Sequence, residues 1–370
     1  MKRIVQLLII TLLCSCGRVE QKQIDNIVIL TEEALPPLKE FYSVRVRYPN
    51  EDMFNMPDAY VYRDTIILIS DRMAEDTIVT VCSINRDKIY GRYYKKGVGP
   101  NEMTRARIEV RGGFLNGYDS NLRAVFRMSI DSIISKGNNY FVTPIRVNSW
   151  EGLTSNDFYN DSTILAVDPW YIRDGKLEQG LNQFYKIDLK SGERVIPFEY
   201  DNDMIFTSNL TSGPVLCYDG GFVFAHGHRP IVSFYDDNLS LLKSYVGPEP
   251  DDLEYDIKKD ALSRSLWYKE GFYYYAMSIC ESENYIFVRK YRVHNKSNDE
   301  IRFIGSEAEI WQFEKSTMNF VARYHPNVNH EILTLSYSEA TNTFYFTVAK
   351  DEFELHKSVW EEPAYEEEEE

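Results

Sequence analysis

From about residue 41 to residue 360 the chain shows almost no helical periodicity. Short runs rich in Val, Ile, Tyr and Phe recur instead, separated by turns of Asp, Asn, Gly and Ser, which is the pattern of an all-β fold. Such runs include TIILIS (65–70), TILAV (163–167), GFVFA (221–225), YIFVR (285–289) and TFYFTV (343–348). Three further stretches pair an alternating strand, a tight polar turn and a second alternating strand: FYKIDLKSGERV (184–195), VSFYDDNLSLLKSY (232–245) and EIWQFEKSTMNFVARY (309–324). Each of these predicts an outer hairpin.

The unit recurs roughly every 50 residues, so about six fit along the chain. We therefore expect an all-β, six-bladed β-propeller of four-stranded antiparallel blades over residues 24–360. Packing blades in a ring covers both faces of each sheet, which accounts for apolar strands without helices between them. Closure of the ring needs a strand from near the start. IDNIVIL (24–30) and YSVRVRY (42–48) precede the first full unit. One of them is expected to pair with the last blade near residues 331–350, joining the N-terminal and C-terminal strands. Two β-sandwich domains are the competing arrangement, since short strands at regular spacing suit them too. With 370 residues, 44% of them hydrophobic, the chain can bury a sizeable core in either form.

The first residues concern the address. Lys2 and Arg3 precede an apolar run (4–13) and then small or polar residues, which reads as a secretory signal over residues 1–15. The run is too short to span a bilayer, which takes about 20 apolar residues. It ends in LCSCG (13–17), which resembles the lipobox of bacterial lipoproteins. That resemblance implies cleavage before Cys16, acylation of Cys16 and attachment to a membrane through the lipid. An ordinary signal peptide with a chance cysteine is the alternative. A triacylated cysteine exceeds a single marginal acyl anchor and would hold a folded domain firmly. Residues 16–23 then form a lipidated tether. No aspartate follows Cys16, which by analogy with enteric lipoproteins places the chain at the outer membrane of the cell envelope, periplasm-facing or surface-exposed.

The formal charge is −16, and the glutamates of EEPAYEEEEE (361–370) are concentrated at the end. Such a block repels itself and reads as a disordered, solvated tail. An acidic chain without a basic stripe excludes nucleic acid as a partner. Cys14 leaves with the signal, and Cys82, Cys217 and Cys280 remain inside apolar runs. Without a CxxC spacing they support neither a disulfide framework nor a zinc ribbon. Buried free thiols are expected, with one disulfide as the alternative.

KKGVGPNEM (95–103) raises the question of a phosphate loop. Such loops need successive backbone N–H groups and a Lys-Ser/Thr pair before a helix. Here Pro100 removes an N–H, no Lys-Ser/Thr pair follows, and Glu102 would repel phosphate. The stretch reads as a turn. Gly97 and Gly99 supply positive φ or close backbone approach, Pro100 stiffens the exit, and Glu102 can accept hydrogen bonds from the loop. The same residues carry a resemblance to the TolB-like six-bladed propeller lipoproteins of Bacteroidota. Their recurring G-x-G-P-x-E is matched by Gly97, Gly99, Pro100 and Glu102, with looser echoes in FRMSIDSIIS (126–135), SFYDDNLSLLKSYVGP (233–248) and IWQFE (310–314). The resemblance covers most of the chain beyond the tether. It implies a fold and an envelope location, and no reaction.

Chemistry-bearing motifs are sparse, and no cofactor is expected. In AHGHRP (225–230), His226 and His228 would share one face of a strand, a spacing that suits two metal ligands. His325 and His330 are distant candidates for a third ligand. A blade turn with hydrogen-bonded imidazoles is the plainer reading. Asp201-Asn202-Asp203 and Asp236-Asp237-Asn238 lack the spacing of a calcium loop and read as hairpin tips. No Ser-x-x-Lys, Gly-x-Ser-x-Gly or His-Glu-x-x-His occurs. Tyrosine is abundant, with 27 copies, and aromatics favour strands; Trp170 and Tyr171 look like loop residues able to meet a sugar or a protein. Asp-Ser/Thr triplets at Thr65, Thr77, Ser132 and Ser162 resemble the O-glycosylation sequon of Bacteroidota periplasmic proteins, Thr77 and Ser132 reading as the more exposed. The expected function is a non-catalytic, membrane-anchored module that binds a protein partner or a glycan through one face of the ring. The alternative is a polysaccharide hydrolase or lyase with its site at the mouth of the central channel.

Overall fold

Strands such as Ile66–Asp71 (IILISD), buried at all six positions, do not alternate, because both faces of the sheet are covered. That is the condition inside a closed ring. The computed structural model describes residues 26–360 apart from 50, 56, 72, 148–155, 168–169, 174–175, 179–183, 192–204, 208–212, 228–229, 249–254, 260–263, 269–270, 298–299, 329 and 351–352. Six mainly antiparallel sheets form the blades of a β-propeller: 57–103, 107–146, 156–188, 215–246, 271–325 and 331–359, numbered blades 1 to 6. In each blade the first strand lies at the axis and later strands step outward through hairpins. The expected outer hairpins at 232–245 and 309–324 are present, and the one at 184–195 is described through its first strand, Phe184–Asp188. Two small sheets are additional to the blades. One of them contains Trp170–Arg173, so Trp170 and Tyr171 lie in a strand rather than the expected loop.

Each pair of neighbouring blades encloses one apolar cluster. Leu68 and Val79 meet Phe126 and Met128 between blades 1 and 2. Tyr118 and Val125 meet Phe158 and Ile187 between blades 2 and 3, and Leu165 and Phe184 meet Phe222 and Phe224 between 3 and 4. The remaining seams are built the same way. Cys82, Cys217 and Cys280 sit in these seams as buried free thiols, so the disulfide alternative does not hold.

The segment before blade 1 does more than the sequence reading asked of it. Tyr42–Arg45 pairs antiparallel with Phe353–Val359 and closes the ring, one strand further out than the expected 331–350. Upstream, Leu38–Glu40 lies parallel to Phe320–His325 in blade 5, and Ile27–Ile29 lies parallel to Leu241–Val246 in blade 4. One continuous strap therefore covers the outer edges of blades 4, 5 and 6, and supplies a further strand to each. Those edges would otherwise present unpaired N–H and C=O groups. Blades of five strands rather than four result, blade 1 gaining its fifth from Glu102–Met103. Between these strands the strap plugs the seams from outside. Leu30 enters the seam of blades 4 and 5, Phe41 that of blades 5 and 6, and Tyr48 that of blades 6 and 1.

The turn at 97–102 is a turn, and its two glycines are there for space. Neither has a positive φ; a Cβ on Gly97 would overlap Glu102 Oε2, and one on Gly99 would lie 2.9 Å from it. The Gly99 N–H donates to Glu102 Oε2 at 2.8 Å, and Gly97 N–H donates to the Met103 carbonyl at 3.0 Å. Arg146 of blade 2 donates to the Gly99 carbonyl at 2.8 Å, which ties the turn to the next blade. Among the described residues one α-helix interrupts the β pattern. Ile130–Lys136 starts at Ser129, whose Oγ accepts from the Ser132 N–H, and buries Ile130 and Ile133.

Phe41 is fully buried, with its ring 5.9 Å from Phe344 and 5.4 Å from Trp360. Phe41→Ala is expected to cost about 3–5 kcal/mol, read from urea unfolding; a loss below about 1 kcal/mol would show that the strap is decoration. Gly97→Ala is expected to lower the melting temperature in the native background and to add little once Glu102→Ala has been made, because the clash is with that carboxylate. Additive effects of the two changes would refute the packing role of Gly97.

Candidate functional site

The innermost strand of blade 2, Arg107–Arg111, alternates apolar and charged residues. Ile108 packs into the seam with blade 1, so Glu109 and Arg111 leave the opposite face, towards blade 3. The register carries this polar row outward: Glu109 pairs with Asn116, and Asn116 pairs with Arg127. Further along the same face the seam is apolar, with Tyr118 and Val125. One end of this seam is therefore polar and the other apolar.

Arg111 is the hub. Its Nη1 pairs with Asp157 Oδ2 of blade 3 and donates to the Phe158 carbonyl at 3.2 Å. Its Nε reaches Glu281 Oε1 of blade 5, opposite in the ring, at 3.2 Å. Lys315 Nζ holds the other oxygen of Glu281 at 2.6 Å. Asp157 also accepts the N–H of Cys217 in blade 4 at 2.7 Å and that of Phe158 at 2.7 Å. The guanidinium thus joins blades 2, 3 and 5 across the central channel, and Asp157 adds blade 4. Burial works against the Arg111 charge, but Asp157, Cys217, Glu281 and Glu109 outweigh it and hold the group protonated. Burial, then the charge of Asp157, push the Glu109 carboxyl well above its ordinary range. Burial also raises Asp157, against Arg111 and the two backbone N–H groups. Asp157 has three donors to offset its burial, whereas Glu109 is raised further, by burial and by the charge of Asp157. Burial and the neighbouring Asp157 push the Cys217 thiol well above its ordinary range, which removes it as a nucleophile.

Above this network a cavity of about 400 Å³ opens at the turns that leave the innermost strands. Asn116 and Arg127 come from blade 2, Tyr159 and Asp161 from blade 3, Tyr218 and Asp219 from blade 4, and Glu281 closes the far side. Beneath it, Glu109, Asn116, Asp157 and Phe158 surround a void of about 10 Å³, room for about one water.

The residues singled out in the sequence lie elsewhere. The signal, Cys16, the tether, the acidic tail, Asp201–Asp203 and His228 are outside the described residues. His226 is buried at the end of Gly221–Ala225 with its ring 4.5 Å from that of Phe224. His325 Nδ1 lies 3.1 Å from the Ala308 carbonyl and His330 is exposed. Among the described residues no three His, Cys, Asp or Glu side chains gather to hold a metal ion. Asp236 accepts the N–H groups of Asn238 and Ser240, as a hairpin tip should. Of the sequon hydroxyls, Thr65 is the exposed one, on a turn. Thr77 and Ser132 are half-buried, which reverses the expected order, and Ser132 stands in the first turn of a helix.

The polar row was missed in the sequence. Its signal was RIEVR (107–111), three charges at period two in a strand that the ring buries on both sides. Glu109 has a raised value in the fold, so its contribution to stability is complete below the ordinary 4.5 and is lost as pH rises through the folded value. The melting temperature of the wild type should fall relative to Glu109→Gln as pH is raised from about 5 to about 9. Parallel pH profiles for the two proteins would show Glu109 to be ionised in the fold.

No protein-family model and no curated protein matches the sequence. Among solved structures the chain is similar to the Pan2 WD40 domain of Neurospora crassa, at 10% identity and a TM-score of 0.43, over 86% of this chain and 94% of that one. It is similar to a Bacteroides fragilis protein described as exported, at 10% identity and a TM-score of 0.48, over 91% of this chain and 100% of that one. A third likeness is to Myxococcus xanthus glutaminyl cyclase, at 8% identity and a TM-score of 0.37, over 87% of this chain and 98% of that one. At identities this low, none of them carries a reaction or a ligand over to this chain.

Proposed function

We propose that the chain is a non-catalytic binding module of the bacterial cell envelope, held at the outer membrane through lipid on Cys16, with the channel-mouth cavity as its binding face. The cavity carries the reading. Its charged floor is already paired, Arg111 with Asp157 and Glu281, and Glu281 with Lys315. Groups engaged in this way hold a fixed shape and are poorly placed to attack a substrate, and the one thiol beside them is kept protonated. Its volume falls in the range of about 300–1,000 Å³ found for ligand sites.

One observation favours the alternative, a polysaccharide hydrolase or lyase at the same mouth. Glu109, pushed well above its ordinary range, beside the more fully hydrogen-bonded Asp157 is the kind of unequal pair that serves as acid and base.

A photo-crosslinking residue placed at Asp219, on the cavity rim, should capture a protein or a glycan in intact cells. The same residue at the exposed Glu75, on a turn of the opposite face, should not. In the Cys16→Ser variant the protein should leave the outer-membrane fraction. Equal capture from both positions, or an unchanged fractionation, would refute the corresponding half of the reading. New reducing ends released from polysaccharide by the wild type, and lost in Glu109→Gln, would favour the enzyme.

A further inference from the structure

Two residues that line the cavity each carry a buried polar atom that the fold leaves without a hydrogen-bond partner. Asn116 Oδ1 is one, on a residue only 5% exposed. Arg127 Nε is the other; it lies 3.6 Å from Asp161 Oδ1, an ion pair without a hydrogen bond. Asn116 and Arg127 are direct cross-strand partners, so their side chains leave blade 2 next to each other on the same face. Both line the cavity. The guanidinium of Arg127 is held in place by aromatic rings, 4.1 Å from the centre of Phe114 and 5.6 Å from that of Phe158. A donor and an acceptor on adjacent cross-strand positions are therefore buried without partners at the cavity wall.

We propose that this cavity binds a sugar residue of a neutral glycan, one hydroxyl of which donates to Asn116 Oδ1 and accepts from Arg127 Nε. The inference rests on the binding-module reading and names its ligand. Charge narrows the choice. An anion would meet Asp161, Asp219 and Glu281, and a cation would meet Arg111 and Arg127. An apolar group would bury both open atoms unpaired. A hydroxyl is neutral and both donates and accepts at one oxygen. Tyr159 and Tyr218, half-buried on blades 3 and 4, add aromatic surface with polar tips for the apolar face of a sugar ring. Lys186 lies over the Tyr159 ring at 3.6 Å and fixes it from one side.

The test is calorimetry of the full chain in detergent against neutral glucose-, mannose-, galactose- and xylose-based tetrasaccharides, with Asn116→Leu and Tyr218→Ala beside the wild type. At least one sugar should bind, and Asn116→Leu should weaken it tenfold or more. That variant should hold or raise the melting temperature, because it removes a buried atom that has no partner. Tyr218→Ala, at the rim, should weaken the same sugar and keeps the test decisive if Asn116→Leu does not fold. Sugar binding untouched by either variant overturns the assignment to this cavity. No heat with any of the four, while position 219 still captures a protein in cells, overturns the sugar and keeps the binding module. No heat and no capture overturn both. Cleavage of a bound tetrasaccharide keeps the sugar and overturns the non-catalytic reading.

Discussion

A blade of this protein cannot stand alone, because both of its faces are apolar. Strands such as Ile66–Asp71 offer no face to water, and each sheet must be covered by a neighbour on either side. Six sheets satisfy that demand only as a closed ring. Everything therefore depends on the contact that joins the two ends, the pairing of Tyr42–Arg45 with Phe353–Val359. The strap leading to it is part of the same solution. Edge pairing along blades 4, 5 and 6 and the insertion of Leu30, Phe41 and Tyr48 into successive seams make the closure a distributed one.

The polar end of the seam between blades 2 and 3 holds a paired network of charges. Burying the Arg111 and Asp157 charges costs desolvation energy that hydrocarbon in the same place would not incur. The arrangement recovers part of that cost by geometry. Arg111 engages two carboxylates and a carbonyl, and Asp157 engages the guanidinium and two N–H groups. The result is a rigid floor spanning four blades, on which the cavity rests. Asn116 and Arg127 sit beside it with open hydrogen-bonding capacity, the kind of local inconsistency that folds retain at sites.

Much of the architecture was legible in the chain. The hairpins at 232–245 and 309–324 announced themselves through alternation around polar tips, and the 97–102 turn through two glycines, a proline and an acid. The parallel pairings of Ile27–Ile29 and Leu38–Glu40 were not legible. Three-residue strands carry almost no periodic signal, and nothing local says which distant edge they meet. The helix at Ile130–Lys136 hid for the same reason, being two turns long and capped by an ordinary serine. Exposure of Thr65, Thr77 and Ser132 could not be ranked from triplets, since burial depends on neighbouring blades.

The candidate site was the least legible part. Arg107, Glu109 and Arg111 are close in sequence, but Asp157, Cys217, Glu281 and Lys315 come from three other blades, and only ring closure brings them together. By itself, the sequence determined the all-β class, the approximate six-fold repetition and the turn chemistry, because these follow from patterns within a few residues. The tertiary structure decided which edges the strap covers, where the Arg111 network assembles, and where a buried donor and acceptor are left unpaired. Those outcomes depend on distances between residues far apart in the chain, which local propensity and alternation do not encode.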